Sequence, residues 1–128
     1  MFMDERKHLQ LNDIDAYKVS FGLSNYIWLR AERWEHFSRS TVGIQFVKAV
    51  DSVSANIAEG FGRYGKKEKI QFFRYARGSV YECLDWNEKC KVRKLLTQEE
   101  YDEVFSVLQK MPKMLNALIK VTNDNLTV

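Results

Sequence analysis

The sequence predicts an all-α protein, an up-down-up-down antiparallel four-helix bundle, and three observations lead there. Apolar residues recur at three- and four-residue steps through four long segments, the period of amphipathic helices rather than strands. The connections between those segments are short, which makes neighbours in sequence antiparallel neighbours in space. Breakers are scarce, with one proline and six glycines in 128 residues, too few for a many-stranded β fold. The length suits a single domain over 1–128 with one core.

Residues 1–12 show no period and are expected to form a flexible arm. Asp13 or Asp15 can cap the first helix, expected over 14–36, because a short side-chain oxygen accepts from an orphan N–H of the first turn. Ala16, Val19 or Ser20, Leu23, Ile27, Ala31 and Trp34 share its inward face. Tyr17, Phe21, Tyr26, Trp28 and the following Phe37 lie on other faces, more rings than one buried stripe requires, so some are expected to face another subunit.

The polar run 38–41 reads as a corner, with the second helix beginning at Val42 or Gly43. Its apolar band is Ile44, Val47, Val50, Val53 or Ser54, Ile57 and Phe61. Ala49, Ser52, Ser54, Ala55, Ala58 and Gly60 give this helix a thin profile that neighbours can approach closely. Gly60 and Gly62 would each cost about 1 kcal/mol in a helix interior, so they belong at a helix end or a tight crossing.

Gly65 reads as a hinge before a third helix over 66–94. Ile70, Phe73, Ala76, Val80, Cys83, Asn87 and Cys90 form its inward face. Thr97-Gln98-Glu99-Glu100 is a capping box that opens the fourth helix. Tyr101, Val104, Leu108, Met111, Leu115, Leu118 and Thr122 then alternate strictly by three and four. Pro112 removes one N–H and crowds the carbonyl of Leu108, so one kinked helix is expected to about Asn123, with 124–128 fraying.

Cys83 and Cys90 lie seven apart, about 10.5 Å along one helix, too far to bridge, and no histidine stands in a ligand motif with them. They read as buried free thiols. The longest stretch of the first helix free of charged residues, 19–29, is too short to cross a bilayer. The N-terminal residues mix acids and bases and lead into no apolar region, so the protein is expected to be cytoplasmic, with no membrane partner.

The formal net charge of +3 is unevenly placed. Residues 61–94 hold ten Lys/Arg against four Asp/Glu, whereas the flanking parts balance or lean acidic. Arg63, Lys66, Lys67, Lys69, Arg74, Arg77, Lys91, Arg93 and Lys94 therefore form the candidate nucleic-acid-binding set, since phosphate contacts require cations and little else. Tyr64 and Tyr75 nearby offer rings for base stacking. The competing reading is a solvated helix face, and +3 is modest for a dedicated nucleic-acid binder. Lys91, Arg93 and Lys94 also suit the negative end of a helix dipole.

Glu59 is the most tempting catalytic residue, a carboxylate in an apolar helix with Asn56 nearby. Acid–base work needs a second positioned group, and none recurs at helical spacing. The favoured reading is a structural polar network in which Asn56 and Glu59 meet Arg77 or the Gly78-Ser79 backbone, because a buried charge must be paired. No phosphate-cradling glycine loop, Glu-x-x-His pair or other catalytic constellation is present. The sequence is therefore read as that of a non-enzyme without metal or cofactor.

Ser52-Val53-Ser54-Ala55-Asn56-Ile57-Ala58-Glu59-Gly60-Phe61-Gly62-Arg63, followed by Lys66-Lys67-Glu68, resembles the signature of the bacterial four-helix-bundle family named for proteins encoded in intervening sequences of 23S rRNA genes. Phe72-Phe73-Arg74-Tyr75-Ala76-Arg77-Gly78-Ser79-Val80-Tyr81-Glu82 is similar to that family's second block. Gly65 departs from the Ser or Thr that commonly caps the third helix in relatives. The resemblance implies a bundle fold, and relatives that serve as accessory proteins of diversity-generating retroelements. It further implies a homo-oligomer, with a pentamer favoured, and RNA or DNA and a reverse transcriptase as partners. The resulting expectation is a non-enzymatic oligomeric bundle that binds nucleic acid with low specificity. The alternative is a protein–protein scaffold module with no nucleic-acid role.

Overall fold

The computed structural model describes residues 9–126. Most of the expected arm, residues 1–8, and the last two tail residues lie outside the described residues. Leu11–Asp13 forms a 3-10 turn, fastened by the Gln10 N–H donating to Asp13 Oδ2 at 2.8 Å. The chain continues through α1 (Asp15–Ala31), the single turn α2 (His36–Ser38), a π turn (Arg39–Gly43), α3 (Ile44–Gly62), α4 (Lys66–Val92), α5 (Gln98–Leu108) and α6 (Met111–Asn125). The result is an all-α four-helix bundle, with α5 and α6 together forming the fourth rod. The most extensive interface joins α3 to α4; α1 packs on α3, and α6 on α4.

The inward face of α4 is the expected one: Ile70, Phe73, Ala76, Val80, Cys83, Asn87 and Cys90 are all buried. In the fourth rod Tyr101, Val104, Leu108, Met111, Leu115 and Thr122 are buried, with Leu118 partly so. Thr97 and Glu100 make the reciprocal capping bonds, at 3.1 and 2.9 Å. Pro112 does more than kink its helix. The rod breaks at Gln109 and Lys110, and Pro112 stands in the first turn of α6, where its missing N–H costs nothing. Helix α6 runs to Asn125, two residues past the expected end, and Lys120 Nζ holds Asp124 at 2.9 Å.

The first corner differs from expectation. Helix α1 ends at Ala31, and the chain turns at 32–35 rather than at 38–41. The Glu35 carboxylate starts the next helix by accepting from the N–H groups of Phe37 (3.1 Å) and Ser38 (2.9 Å). Two backbone bonds and the Ser38 hydroxyl hold its pKa below the ordinary 4.5. The π turn follows, and its extra width shifts the inward face. Phe46 is fully buried, while Ile44, placed on the apolar band by its spacing, is 48% exposed.

Gly60 sits at the tight crossing its sequence context suggested, where a Cβ would lie 2.7 Å from Phe73 Cε1. Helix α4 starts on Gly65 without a side-chain cap. Cys83 and Cys90 are free and buried; burial raises the pKa of both thiols, that of Cys90 to about 12. Among the described residues no helix is long and apolar enough to cross a membrane. No group of three or more His, Cys, Asp or Glu that could hold a metal ion occurs among them either.

Candidate nucleic-acid interface

Helix α4, 27 residues long, carries most of the basic set, and its length divides that set in two. Lys67 and Lys91 stand 24 residues apart, about 36 Å along the axis. Arg63, Lys66, Lys67, Lys69, Arg74 and Arg77 gather at the α3–α4 corner and the N-terminal half of α4. Lys91, Arg93 and Lys94 lie at the opposite end of the bundle. Between them come Glu82, Asp85 and Glu88. The nine cations therefore form two ends and not one patch, because a count along the chain ignores the rise of a straight helix.

At the N-terminal end the cations divide again by what they touch. Lys69 Nζ donates to the carbonyls of Phe61 (2.7 Å) and Gly60 (3.4 Å), closing the C-terminus of α3, where the helix dipole favours a cation. Burial lowers its pKa. Nε and Nη2 of Arg63 converge on Glu59 Oε2 at 2.9 and 2.7 Å, Nη1 lies 3.7 Å from Glu68, and the guanidinium sits 4.8 Å from the centroid of Phe72. Arg77 donates through Nη1 to Asn116 Oδ1 on α6. These three cations hold helices together.

Lys66, Lys67 and Arg74 behave differently. They line one groove with Ile70 and Asn123, about 380 Å³ in volume. Lys66 Nζ reaches the Asn123 carbonyl at 3.3 Å, which draws the end of α6 to the groove. Lys67 and Arg74 are exposed and, among the described residues, have no carboxylate within ion-pair distance. Beside them Tyr75 is half exposed, its hydroxyl accepting from Gln71 Nε2 at 2.7 Å and its ring edge-on to Phe72 at 5.5 Å; Tyr64 at the corner is 83% exposed. A phosphate in the groove would meet two exposed cations, Lys67 and Arg74, and a third, Lys66, tethered by a carbonyl. A base beside it would meet a braced ring.

The expected polar network of Asn56, Glu59 and Arg77 does not form. Glu59 lies on the outer face of α3 and pairs with Arg63 one turn on, so it has no buried charge to neutralise. Asn56 Nδ2 donates to the Ser52 carbonyl of its own helix at 2.8 Å. The polar tie between α3 and α4 at this level is the hydrogen bond between the Ser52 and Ser79 hydroxyls, Oγ to Oγ 2.7 Å, a pair that carries no distinctive signal in sequence.

At the other end, Lys91 Nζ stands 4.6 Å from the centroid of the Tyr101 ring, and Arg93 and Lys94 close α4 in an exposed turn. Tyr101 donates its hydroxyl to Glu88, and that bond raises its pKa to about 12.

Comparison with known proteins places this geometry in context. A family model described as 23S rRNA-intervening sequence protein matches residues 12–117. Among solved structures, a protein of unknown function from the S23 ribosomal protein family of Bacteroides thetaiotaomicron VPI-5482 superposes with a TM-score of 0.75 at 18% identity, covering 87% of this chain and 99% of that one. At that identity the likeness is one of fold. No curated protein matches the sequence.

Proposed function

The chain belongs to the 23S rRNA-intervening sequence protein family, and we propose that it acts without catalysis, as an oligomeric bundle that binds nucleic acid with little sequence preference. The observation that carries this reading is the groove of Lys66, Lys67 and Arg74, in which Lys67 and Arg74 are exposed and have no carboxylate partner among the described residues; the exposed rings of Tyr75, on the same helix, and Tyr64, at the α3–α4 corner, add stacking surface. Such a site offers charge and stacking surface but few groups arranged to read base edges, which is the chemistry of sequence-tolerant binding. Gel retardation of a single-stranded oligonucleotide at graded salt tests it. Binding should weaken steeply with salt, and Lys67→Gln with Arg74→Gln should lower the log–log slope by about 0.7 per cation. Absence of a retarded band at low salt would remove the proposal.

Assembly rests on a separate observation. Trp28 and Ile44, each about half exposed, line an apolar groove with Ala31, Gly43 and Val47 on the α1–α3 side of the bundle. A large ring and a branched aliphatic side chain left in water at a groove suit a protein neighbour, here a second copy, in an oligomer for which five copies is the favoured number. The same groove supports the alternative of a scaffold with no nucleic-acid role. Light scattering should find a multiple of 15.1 kDa, and a single 15.1 kDa species at micromolar concentration would overturn the assembly.

A further inference from the structure

We propose that the cleft at the far end of α4, between the π turn and the α4–α5 corner, is a second nucleic-acid contact that takes one base of a single strand against aromatic side chains and its phosphate on Arg93. The proposal rests on the nucleic-acid reading above and adds a different place and a different mode of contact. The cleft measures about 740 Å³ and is lined by Phe37, Thr41 and Gln45 on one side and by Trp86, Arg93 and Leu95 on the other.

Two unusual pieces of backbone make it. On one side the Ile44 N–H reaches back to the Arg39 carbonyl, opening the helix into a π turn, a feature frequent at functional sites. This turn buries Val42 and Gly43 and leaves Ser40, Thr41 and Gln45 exposed. It is also braced, by the Thr41 hydroxyl donating to the Phe37 carbonyl at 2.7 Å and by Glu35 beneath. On the other side α4 ends with Lys94 at φ 60°, the left-handed conformation in which glycine is the unstrained residue. The Lys94 N–H bonds to the Lys91 carbonyl and the Leu95 N–H to the Cys90 carbonyl, at 3.2 and 2.9 Å, so the chain reverses at once. Leu95 returns to the cleft wall while Arg93 and Lys94 stay in solvent.

The lining chemistry selects the ligand. Phe37 is 72% exposed, and Trp86, half-buried, is anchored by its Nε1–H to Glu82 at 3.4 Å with Lys89 Nζ 4.7 Å from its ring centroid. Among the described residues Arg93 has no carboxylate within ion-pair distance. Glu35 and Glu82, on the lining elements, are committed to Phe37, Ser38 and Trp86. An acidic peptide would use the cations and leave the rings wet. A nucleotide brings a flat π face and a phosphate together and uses both.

Oligouridylate ten residues long, titrated at low salt and followed by anisotropy and tryptophan emission, tests the assignment. Phe37→Ser should raise the dissociation constant about tenfold without moving the melting temperature, since the ring is so exposed. Arg93→Gln should lower the salt slope by about 0.7, and Trp86→Phe should remove most of the emission change while keeping most of the affinity. If Phe37→Ser and Arg93→Gln bind as the parent does while Lys67→Gln with Arg74→Gln fails to bind, the cleft assignment falls and the groove stands. If the parent itself does not bind, both fall. Emission that responds to a glutamate-rich peptide and not to oligouridylate would give the cleft to a protein partner and overturn the assignment too.

Discussion

Replacing Gly60 by alanine should loosen the bundle at its largest interface, although alanine is the better helix former. Gly60 lies in the last turn of α3 where it crosses the start of α4. An added Cβ would stand 2.7 Å from Phe73 Cε1, 3.0 Å from Phe73 Cδ1 and 3.0 Å from the Lys69 carbonyl oxygen. Carbon atoms rest against each other at about 3.5 Å, so the methyl intrudes by about 0.8 Å on the ring. Phe73 is 2% exposed and cannot swing into solvent, and the carbonyl belongs to helix backbone. Moving α4 outward also stretches the bonds from Lys69 Nζ to the end of α3. Overpacking of this kind costs about 1–3 kcal/mol, against about 1 kcal/mol gained from alanine's helix propensity. The expected net loss is about 1–2 kcal/mol where the clash is at the upper end, or about 4–8 °C in melting temperature for a chain of this size. Gly62→Ala is the internal control, because nothing lies within 4 Å of its Cβ and no glycine here has positive φ. It should leave stability unchanged or raise it. Urea denaturation of the two variants side by side decides the matter; Gly60→Ala as stable as Gly62→Ala would refute the close-approach argument.

Four more outcomes follow from the same geometry. Glu59→Ala should cost no more than about 1 kcal/mol, since it breaks a surface pair within one helix; unfolding of this variant would revive a buried network. Lys94→Gly should stabilise by about 1 kcal/mol in thermal melts by relieving the left-handed lysine, and a loss of stability would show that no strain is stored there. With its thiol pKa near 12, Cys90 should not react with a disulfide reagent at pH 8 in the folded protein. Cys83, buried and shifted the same way, should behave alike, with both titrating after unfolding; one fast thiol in the native state would contradict the burial. The Glu35 pKa is lowered on folding, so its carboxylate adds stability above pH 4.5 that disappears as pH falls through the folded value. Glu35→Gln should flatten that part of the acid limb, and identical limbs for parent and variant would count against the cap.

Where a helix is straight and regular, its inward face was legible from spacing alone. Seven positions of α4 from Ile70 to Cys90 are buried as their period requires, and the seam of the fourth rod continues across Pro112 because the break occurs without losing the face. Ile44 is the exception. Steps of three residues from 44 to 47 to 50 look periodic, yet six residues turn about 600°, leaving Ile44 some 120° away from Val50. The neighbouring π turn and the fully buried Phe46 set the true face. The corner at 32–35 has a different cause: the helix after it starts on Glu35, and glutamate is a poor predictor of a helix start beside Ser, Thr, Asp or Asn. Nothing in Arg39–Gly43 announces a π turn. For the candidate site, the sequence identified the cations but not their commitments. That Lys69 closes α3 and Arg77 reaches Asn116 depends on which carbonyl or amide lies opposite, a tertiary fact.

The arrangement of charge along α4 bears on how the two proposed contacts can work together. Six cations precede Gly78, Glu82, Asp85 and Glu88 follow, and Lys89, Lys91, Arg93 and Lys94 end the basic region. Asp85 is paired with Lys89 at 2.6 Å, whereas Glu82 and Glu88, which accept from the uncharged Trp86 indole and Tyr101 hydroxyl, keep their negative charge. A phosphate chain laid along the helix would pass this acidic waist within a Debye length of about 8 Å, where repulsion is not screened. One strand therefore gains little by following α4 from end to end. The favourable geometry is two separate touches, charge at the groove and stacking at the cleft, reached by a looped strand or by strands passing between neighbouring copies. In a ring of copies each end of α4 would repeat around its own rim, so weak single contacts would add through effective concentration and need not be strong individually.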